Sequence, residues 1–541
     1  MKKGWMLVIA LMMTVTLMAG CSNNNSSESA TTKESANTQE NNSVKELSFE
    51  VMIPKFGVDP ADTLIQKEWQ KEMESYLGVK LNIKWNRLQW GNEYSEKSKV
   101  MLASGEIPDV MLVQGKDQID DYGAEGLLAD LTPYVNENPN YKTFVEATPD
   151  SEKYLYSADK KIYAFFDGYN NPTDLEPSQF NPAYRLDIFE KNGIKIPETI
   201  DEFYDAAKKL KELYPDVYPV GISQPWLLYN GFFNSFHANS GIYYNGEKFV
   251  FGPTEENFKE ALQFINKLYS EKLLDPAFMT DDLDQSRPKA TTGKTFMYPD
   301  IFSGYVTEFN TNNQASVKWT NSLFPSSKYG KGWQQWAEPS GKGLNNDSGI
   351  VISAKAKHPE LLAKLIDHQY SEKMMDLMNW GVEGTTYVVK DGKKELAPNI
   401  LNASNIYEEL NKYGVGTTNK ARAGIVWTPQ DKLAKYTDPG SITTFYHDGK
   451  AEEISYWVAN GTYAKDAVSP NDFAPRVVFT KDENDKKASI MTPIDTYVNE
   501  SMIKFIKGEM KFSEWDDFQN KLKKMGDYEE VVKMFNDKLN Q

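Results

Sequence analysis

Several short segments of this 541-residue chain place aromatic residues directly beside planar polar residues. The flat apolar face of a Trp or Tyr ring can stack on the C–H face of a pyranose, while carboxylates and amides bind the hydroxyl groups. This combination predicts a cleft that binds a sugar, although a loop Trp can equally pack against its own domain. The segments are Gln89–Asn92, Phe166–Asn170, Gln224–Trp226, Tyr298–Asp300, Trp333–Trp336 and Val426–Gln430.

The residue types that enzymes use for nucleophilic or metal-assisted chemistry form no recognisable motif in this sequence. The four histidines stand far apart, and neither His-Glu-x-x-His nor Gly-x-Ser-x-Gly occurs. Carboxylates are plentiful, so a glycosidase pair would not stand out by counting. We therefore predict no catalytic residue, no metal and no cofactor, and we interpret the run Asp281–Asp284 as a solvated acidic turn.

Cys21 is the only cysteine of the chain, and its position predicts a modification. It follows Lys2-Lys3 and an apolar run from Trp5 to Ala19, which is shorter than the ~20 residues that span a bilayer. Residues 1–20 are therefore predicted to be a signal peptide. The end of this segment resembles the lipobox of bacterial lipoproteins, apart from Met18 where that motif usually has Leu. The resemblance implies a diacylglycerol on the Cys21 thiol; the alternative is a plain secretory signal with an incidental cysteine.

Charge and length restrict the class of protein further. The formal net charge of −17 argues against nucleic acid as a partner and against electrostatic binding to an anionic membrane. With one cysteine the chain can form no internal disulfide. Its length exceeds what one hydrophobic core supports, which predicts two large lobes.

Strands and helices alternate once the chain becomes apolar enough to fold. Residues 21–46 almost lack apolar side chains and are predicted to be a disordered tether behind the lipidated cysteine. The next segments read as strand, helix, strand, helix and strand, which indicates an α/β fold with a mostly parallel sheet. Their predicted bounds are 47–53, 62–77, 81–85, 94–103 and 109–113. Later predicted helices include one behind a capping box at Thr199, one capped by Thr254, and three in the tail at 494–507, 514–523 and 528–539.

Several motifs carry a resemblance to a known family. The most specific is Ala-Ser-Gly-Glu-Ile-Pro-Asp-Val at residues 103–110, where a helix ends at glycine and a buried strand begins. The others are Gly126–Tyr134, Tyr184–Asp187, Gly193–Phe203, Asn379–Gly384 and Phe505–Gly508. Together they resemble the family 1 solute-binding lipoproteins of carbohydrate ABC importers, in particular the LplA-like oligosaccharide-binding branch.

This resemblance implies a type II periplasmic-binding-protein-like fold, α/β and two-lobed, with the ligand in the cleft. Residues 47–165 plus about 315–375 would form the N-terminal lobe, and 166–314 plus about 376–541 the C-terminal lobe. The implied protein is a monomer on the outer face of the cell membrane, in a Gram-positive bacterium. It would close on an oligosaccharide and pass it to the permease subunits of an ABC importer. The alternatives are a secreted carbohydrate-active enzyme and a binding protein of the same fold for a peptide or another solute.

Eight residues drawn from both lobes are predicted to bind the ligand. Gln114 stands just beyond the strand 109–113, at the expected cleft edge. Glu383, in a family-like motif, could reach a ligand or hold the hinge, whereas Arg185 more readily forms a structural ion pair with Asp187. The predicted ligand-binding residues are Trp90, Gln114, Asp167, Tyr169, Trp226, Tyr298, Trp380 and Trp427.

One departure from the family concerns calcium. Relatives that take up acidic polysaccharide fragments often carry an Asp-x-Asn-Gly-Asn-Gly-Lys loop after the helix that corresponds to 201–213. Here Leu213–Pro219 lacks that ladder of oxygen ligands, so no calcium is predicted there. Together with a content of five arginines, this favours a neutral glycan over a uronate.

Overall fold

The first sheet is built from the alternating apolar residues at the start of the folded chain. The computed structural model describes residues 44–55, 59–146, 155–168, 180–281, 283–311, 317–334, 344–403, 406–415, 423–426, 442–475 and 477–539. Strand β1 (Glu46–Lys55) pairs in parallel with β2 (Lys80–Gln89) and β3 (Val110–Gln114). The antiparallel strand β10 (Leu344–Ile352) lies between β3 and β4 (Phe165–Gly168), which gives the order β2-β1-β3-β10-β4.

A second five-stranded sheet follows later in the chain. Its order is β14-β13-β9-β5-β8, with β5 antiparallel to both neighbours and β9 parallel to β13. The bounds are β5 Phe180–Arg185, β8 Met297–Phe302, β9 Trp319–Ser322, β13 Ile442–His447 and β14 Lys450–Ser455. Two short antiparallel pairs complete the strands: β6 (Ile242–Tyr244) with β7 (Phe249–Phe251), and β11 (Tyr387–Lys390) with β12 (Lys393–Leu396).

Helices pack on both sheets. Those before β6 are α1 Leu64–Leu77, α2 Asn92–Ser104, α3 Lys116–Ala124, α4 Thr132–Glu137, α5 Pro139–Glu146, α6 Leu186–Lys191, α7 Ile200–Leu213 and α8 Pro225–Phe236. The next are α9 Glu256–Ser270, α10 Leu283–Thr291, α11 Ser303–Thr311, α12 Pro359–His368, α13 Glu372–Asn379, α14 Pro398–Leu401 and α15 Ile406–Tyr413. The last are α16 Tyr456–Tyr463, α17 Lys481–Lys507, α18 Trp515–Met525 and α19 Tyr528–Lys538.

The first elements form where the sequence predicts them. In α1 the apolar period buries Ile65, Trp69 and Met73, and the Thr63 side chain caps the helix. Helix α2 ends at Gly105, whose φ of 69° is the left-handed conformation that glycine adopts without strain. Pro108 then prevents a further turn, and β3 enters the core two residues later.

The later helices confirm some sequence predictions and correct others. The Thr199 capping box is present at α7. Thr254 does not cap α9, because it belongs to a 3₁₀ turn and Glu255 precedes the helix. The helix predicted at 494–507 begins instead at Lys481, because a capping box of Thr480 and Glu483 starts it and Pro493 lies inside it.

The two sheets define two lobes, and the predicted segment bounds need two corrections. Strand β9 pairs with β5, so a first-lobe segment that starts near 315 begins too early. The predicted end of this segment, residue 375, is also too early, since the chain contacts the first lobe again near residue 425. There Ile425 N donates to Gln369 Oε1, which also accepts from Trp69 of α1. Pairing between strands distant in sequence decides these bounds, and local composition does not report it.

The core of the second lobe contains a large cluster of apolar side chains. Residues from α7, α8 and α9 pack there with the tail helices, including Phe203, Phe232, Ile265 and Phe505. In the part of the chain described above, no helix is both long and apolar enough to cross a membrane.

Candidate ligand-binding site

Two predicted residues lie at one edge of the first sheet. Trp90 directly follows β2, and its N–H donates to Lys55 O at the end of β1, 2.9 Å away. Gln114 is the last residue of β3 and is half-buried opposite Ser348 of β10. Because β1, β2 and β3 are parallel, their carboxyl ends meet at this edge, where open sheets bind ligands. The Trp90 ring is stacked near Tyr94, with centroids 6.2 Å apart.

Three predicted residues lie wholly or partly outside the described residues. Asp167 lies in β4, which ends at the same edge as β3, but its side chain is outside the description. Tyr169 and Trp427 lie outside the described residues. Their contribution to ligand binding stays a prediction.

The second lobe presents what we call the exposed aromatic group, formed by Phe180, Trp226 and Phe302. Phe180 at the start of β5 pairs with Phe302 at the end of β8. Trp226, in the first turn of α8, is 48% exposed and meets the Phe180 ring edge-on, with centroids 5.4 Å apart. Its indole Nε1 donates to Gln224 Oε1. A large ring held in place on two sides yet open to solvent can stack on a ligand.

Two predicted residues belong instead to the core. Tyr298 is 0% exposed within what we call the buried aromatic group, formed with Phe309 and Trp319, and its hydroxyl donates to Ser286 O. Trp380 is 2% exposed and packs against Tyr387. Both rings lie in the core rather than at a sheet edge, because proximity of aromatic and polar residues in sequence does not report which side of an element faces the core. Their contribution to ligand binding stays a prediction.

A buried carboxyl group adjoins the exposed aromatic group. Asp300 of β8 is fully buried, and Asn230 Nδ2 of α8 donates to its Oδ2 at 2.5 Å. Burial raises the pKa of Asp300 to about 8, against the smaller opposing effect of the Asn230 hydrogen bond. Burial therefore favours the neutral form of the Asp300 carboxyl group, which in the sequence is only the last residue of the segment Tyr298–Asp300.

Other site residues were missed by the sequence analysis. Asn230 lies four residues after Trp226, so the helical period places both on one face of α8. That spacing could have identified Asn230, and Asn234 continues the same row. At the end of α8, opposite the end that carries Trp226, His237 stacks on Trp333 with centroids 4.1 Å apart.

Two charged clusters are structural. Arg185 forms the expected ion pair with Asp187 through two hydrogen bonds of 2.8 Å, in the bidentate geometry that guanidinium groups favour. The interpretation of Asp281 as solvated is wrong. Its carboxylate is buried and pairs with Lys289, which also binds Asp275 at 2.7 Å.

In the turn after α7, the ammonium group of a lysine binds backbone carbonyl oxygens. Lys211 Nζ donates to Pro215 O at 2.8 Å and to Val217 O at 2.9 Å, and it lies 4.8 Å from the centre of the Tyr218 ring. An ammonium group therefore binds carbonyl oxygens of the turn in which calcium-binding relatives carry their loop. Across the residues that the structure describes, no group of three or more His, Cys, Asp or Glu side chains is arranged to hold a metal.

Known proteins share this sequence and architecture. The fructooligosaccharide ABC transporter substrate-binding protein FusA of Streptococcus pneumoniae is 24% identical over 540 residues, which cover 96% of this chain and 94% of FusA. Lipoprotein LipO of Bacillus subtilis is 25% identical over 425 residues, 72% of this chain and 75% of LipO. The crystal structure of the alginate-binding protein AlgQ2 without calcium shares the fold with a TM-score of 0.70 at 20% identity, covering 92% of this chain and 98% of AlgQ2.

A family model decides the assignment. The model described as "Bacterial extracellular solute-binding protein" matches residues 60–376, more than half of the chain. The match begins just before α1 and ends within α13, so it includes the first-sheet edge, α8 and β8. Because this match covers more than half of a chain with the two-lobed fold described above, the chain belongs to the bacterial extracellular solute-binding protein family.

Proposed function

We propose that this protein captures an oligosaccharide outside the cell and delivers it to an ABC importer. The observation that carries the proposal is the exposure of Trp226, supported by Phe180 and Gln224, at the edge of the second sheet. A soluble protein gains stability by burying such a ring, so its exposure favours a binding role. The names of FusA and AlgQ2, which describe oligosaccharide- and alginate-binding proteins, support a sugar as the ligand.

The proposed mechanism is closure of the two lobes on the ligand. Trp90 and Gln114 belong to the first lobe, and Trp226 belongs to the second. A ligand that contacts both sets gains those contacts together only in the closed form, so binding shifts the population towards closure. The importer can then distinguish loaded from empty protein by shape.

The proposed ligand is a neutral oligosaccharide rather than a uronate. Lys211 already binds the carbonyl oxygens of the turn after α7, and the chain has a net charge of −17. A chain of carboxylates would approach this negative protein against unfavourable long-range electrostatics. The name of FusA describes a fructooligosaccharide transporter protein, and a fructooligosaccharide is a neutral sugar, which supports this proposal.

The membrane anchor is part of the same proposal. Cys21 would carry the lipid, and residues 22–46 would connect it to β1, so that the binding protein stays near the importer. Cys21→Ser should release the protein from cells into the medium. Retention of the mutant protein on the membrane would overturn the anchor.

Calorimetric titration with kestose, stachyose, trigalacturonate and a tripeptide tests the ligand class. We expect a neutral oligosaccharide to bind with micromolar affinity or better, and the sugar to be recovered intact by chromatography after overnight incubation. Cleavage of the sugar would favour the carbohydrate-active enzyme. Binding of the tripeptide alone would favour a different solute, and tighter binding of trigalacturonate would overturn the neutral ligand.

A further inference from the structure

One face of α8 carries both a ring of the exposed aromatic group, Trp226, and the polar side chain of Asn230. Trp226 and Asn230 are one helical turn apart, and both are accessible to solvent at least in part. Asn230 Nδ2 donates to Asp300 Oδ2, 2.5 Å away. The amide nitrogen therefore points inward, and the other amide atom, Oδ1, accepts no hydrogen bond from any residue in the described part of the chain.

The backbone fixes this arrangement. A Cβ atom on Gly231 would lie 2.6 Å from Pro299 O, so α8 approaches β8 more closely than any other residue type would allow. The neighbouring residues in each element are Asn230 and Asp300. The close approach of Gly231 to Pro299 thus sets the contact between the amide and the carboxyl group.

Among the residues that the structure describes, Asp300 has no charged partner. Its Oδ1 is buried without a hydrogen bond, and α8 contains no Asp, Glu, Lys, Arg or His between its first and last residues. On the adjoining elements, Arg185 of β5 is paired with Asp187 and Glu308 of α11 with Arg287. The tyrosines Tyr229 and Tyr305 have pKa values raised to about 12 by burial, so both are neutral where Asp300 titrates. On α10, which contacts β8 through Ser286 and Tyr298, Lys289 is paired with Asp275 and Asp281. On α16 the Tyr456 ring lies 6.1 Å from that of Phe302, and this helix includes no charged side chain.

We propose that Asp300 is a positioning residue, which orients the amide of Asn230 so that its Oδ1 accepts a hydrogen bond from a hydroxyl of the sugar stacked on Trp226. Asn230 is then a specificity-determining residue for a hydroxyl donor at one ring position. An ether or a deoxy carbon at that position would leave Oδ1 unpaired in the closed cleft, and such mismatches discriminate strongly between ligands. This inference rests on the proposed function.

Substitutions at both positions test the coupling between them. Asn230→Ala removes the acceptor, and Asp300→Leu removes the group that orients it, so each should weaken binding of kestose or stachyose about fivefold to twentyfold. The double variant should bind the sugar no more weakly than whichever single variant binds it with the lower affinity, because the two residues act through one hydrogen bond. Asp300→Asn should restore wild-type affinity at pH 6.5, since its amide oxygen can still accept from Asn230 Nδ2.

A matched control lies on the same helix. Tyr229→Phe removes a hydroxyl that faces Met279 rather than the row of Trp226 and Asn230, and it should leave affinity unchanged. Independent, additive losses in Asn230→Ala and Asp300→Leu would overturn the proposal. So would wild-type affinity in Asn230→Ala.

The pH profile of binding separates a positioning role from a merely structural one. A ligand that covers the half-exposed Asn230 moves bulk water further from the fully buried Asp300 and so raises the pKa of its carboxyl group further. Wild-type affinity should therefore be constant from pH 6 to 7.5 and fall up to tenfold per pH unit above 8. Asp300→Asn should show no such fall, and an identical profile in the two proteins would overturn the proposal.

A measurement without ligand tests the protonation state by itself. The pKa of Asp300 rises from an ordinary value of 3.8 to about 8 on folding, so its contribution to stability is complete below pH 3.8 and is lost as pH rises towards 8. The melting temperature of Asp300→Asn should therefore exceed that of wild type by an increasing margin between pH 5 and 8, and by a constant margin above. A difference in melting temperature that does not depend on pH would contradict a buried Asp300 that is neutral in the folded protein. If wild type binds none of the sugars or the tripeptide but the difference in melting temperature depends on pH as expected, the proposed function is wrong while the buried neutral Asp300 is supported.

Discussion

The exposed aromatic group and the buried aromatic group lie against the same strand, yet they serve different ends. Phe302 and Tyr298 are both residues of β8, but Phe302 reaches solvent with Trp226 whereas Tyr298 is fully enclosed with Trp319. Trp226 and Tyr298 both come from sequence segments that place an aromatic residue close to a planar polar one. The comparison shows that exposure and an accessible polar neighbour, rather than residue type, identify a ring that can meet a ligand.

The largest expected effect lies in the buried aromatic group. Tyr298→Ala would leave a cavity among Phe309, Trp319 and Ala183 and should lower the free energy of unfolding by about 3–5 kcal/mol. The melting temperature should fall by several degrees in calorimetry, and affinity for sugar should change little in the protein that remains folded. Tyr298→Phe is the control, because it removes only the hydrogen bond to Ser286 O and should cost about 1 kcal/mol.

Truncation of a ring in the exposed aromatic group should lower the affinity for sugar rather than the stability of the protein. Trp226→Ala removes a ring that is 48% exposed, so the melting temperature should stay within about one degree of wild type. Loss of the stacking surface should cost about 1–3 kcal/mol of binding free energy, or roughly tenfold to hundredfold in affinity. Normal binding by this variant, measured by calorimetry, would remove the distinction between the two groups.

A smaller effect is expected at the turn after α7. Lys211→Met keeps most of the apolar stem but removes the ammonium group from Pro215 O and Val217 O, so it should lower stability by about 1 kcal/mol. Calcium or a chelator should not shift the melting temperature of wild type. A calcium-dependent rise in that temperature would show a metal site that neither the sequence nor the described residues indicate.

The sequence predicted local structure better than the site. Periodicity located β1 to β3 and the helices between them, because apolar alternation and glycine ends are local signals. The lobe bounds failed at β9 and again near residue 425, since both depend on pairing or packing between segments far apart in the chain. Asn230 carried a usable signal in its spacing from Trp226.

Burial explains the remaining differences between the sequence predictions and the structure. Trp380 stands in a motif typical of the family, and its burial follows from packing against Tyr387 of the hairpin β11–β12. Asp300 became significant only once the structure placed it beneath Asn230 without a charged partner in the described part of the chain. Neither fact follows from composition, because burial is a property of the assembled lobes.

The most direct test of the account asks whether the ligand joins the two lobes. Small-angle X-ray scattering of the mature protein should be recorded alone and with a saturating concentration of the oligosaccharide that binds in calorimetry. We predict a smaller radius of gyration for wild type with the sugar, and for Trp226→Ala the same decrease only at a roughly tenfold to hundredfold higher sugar concentration. An unchanged radius for saturated wild type would contradict capture by closure of the lobes.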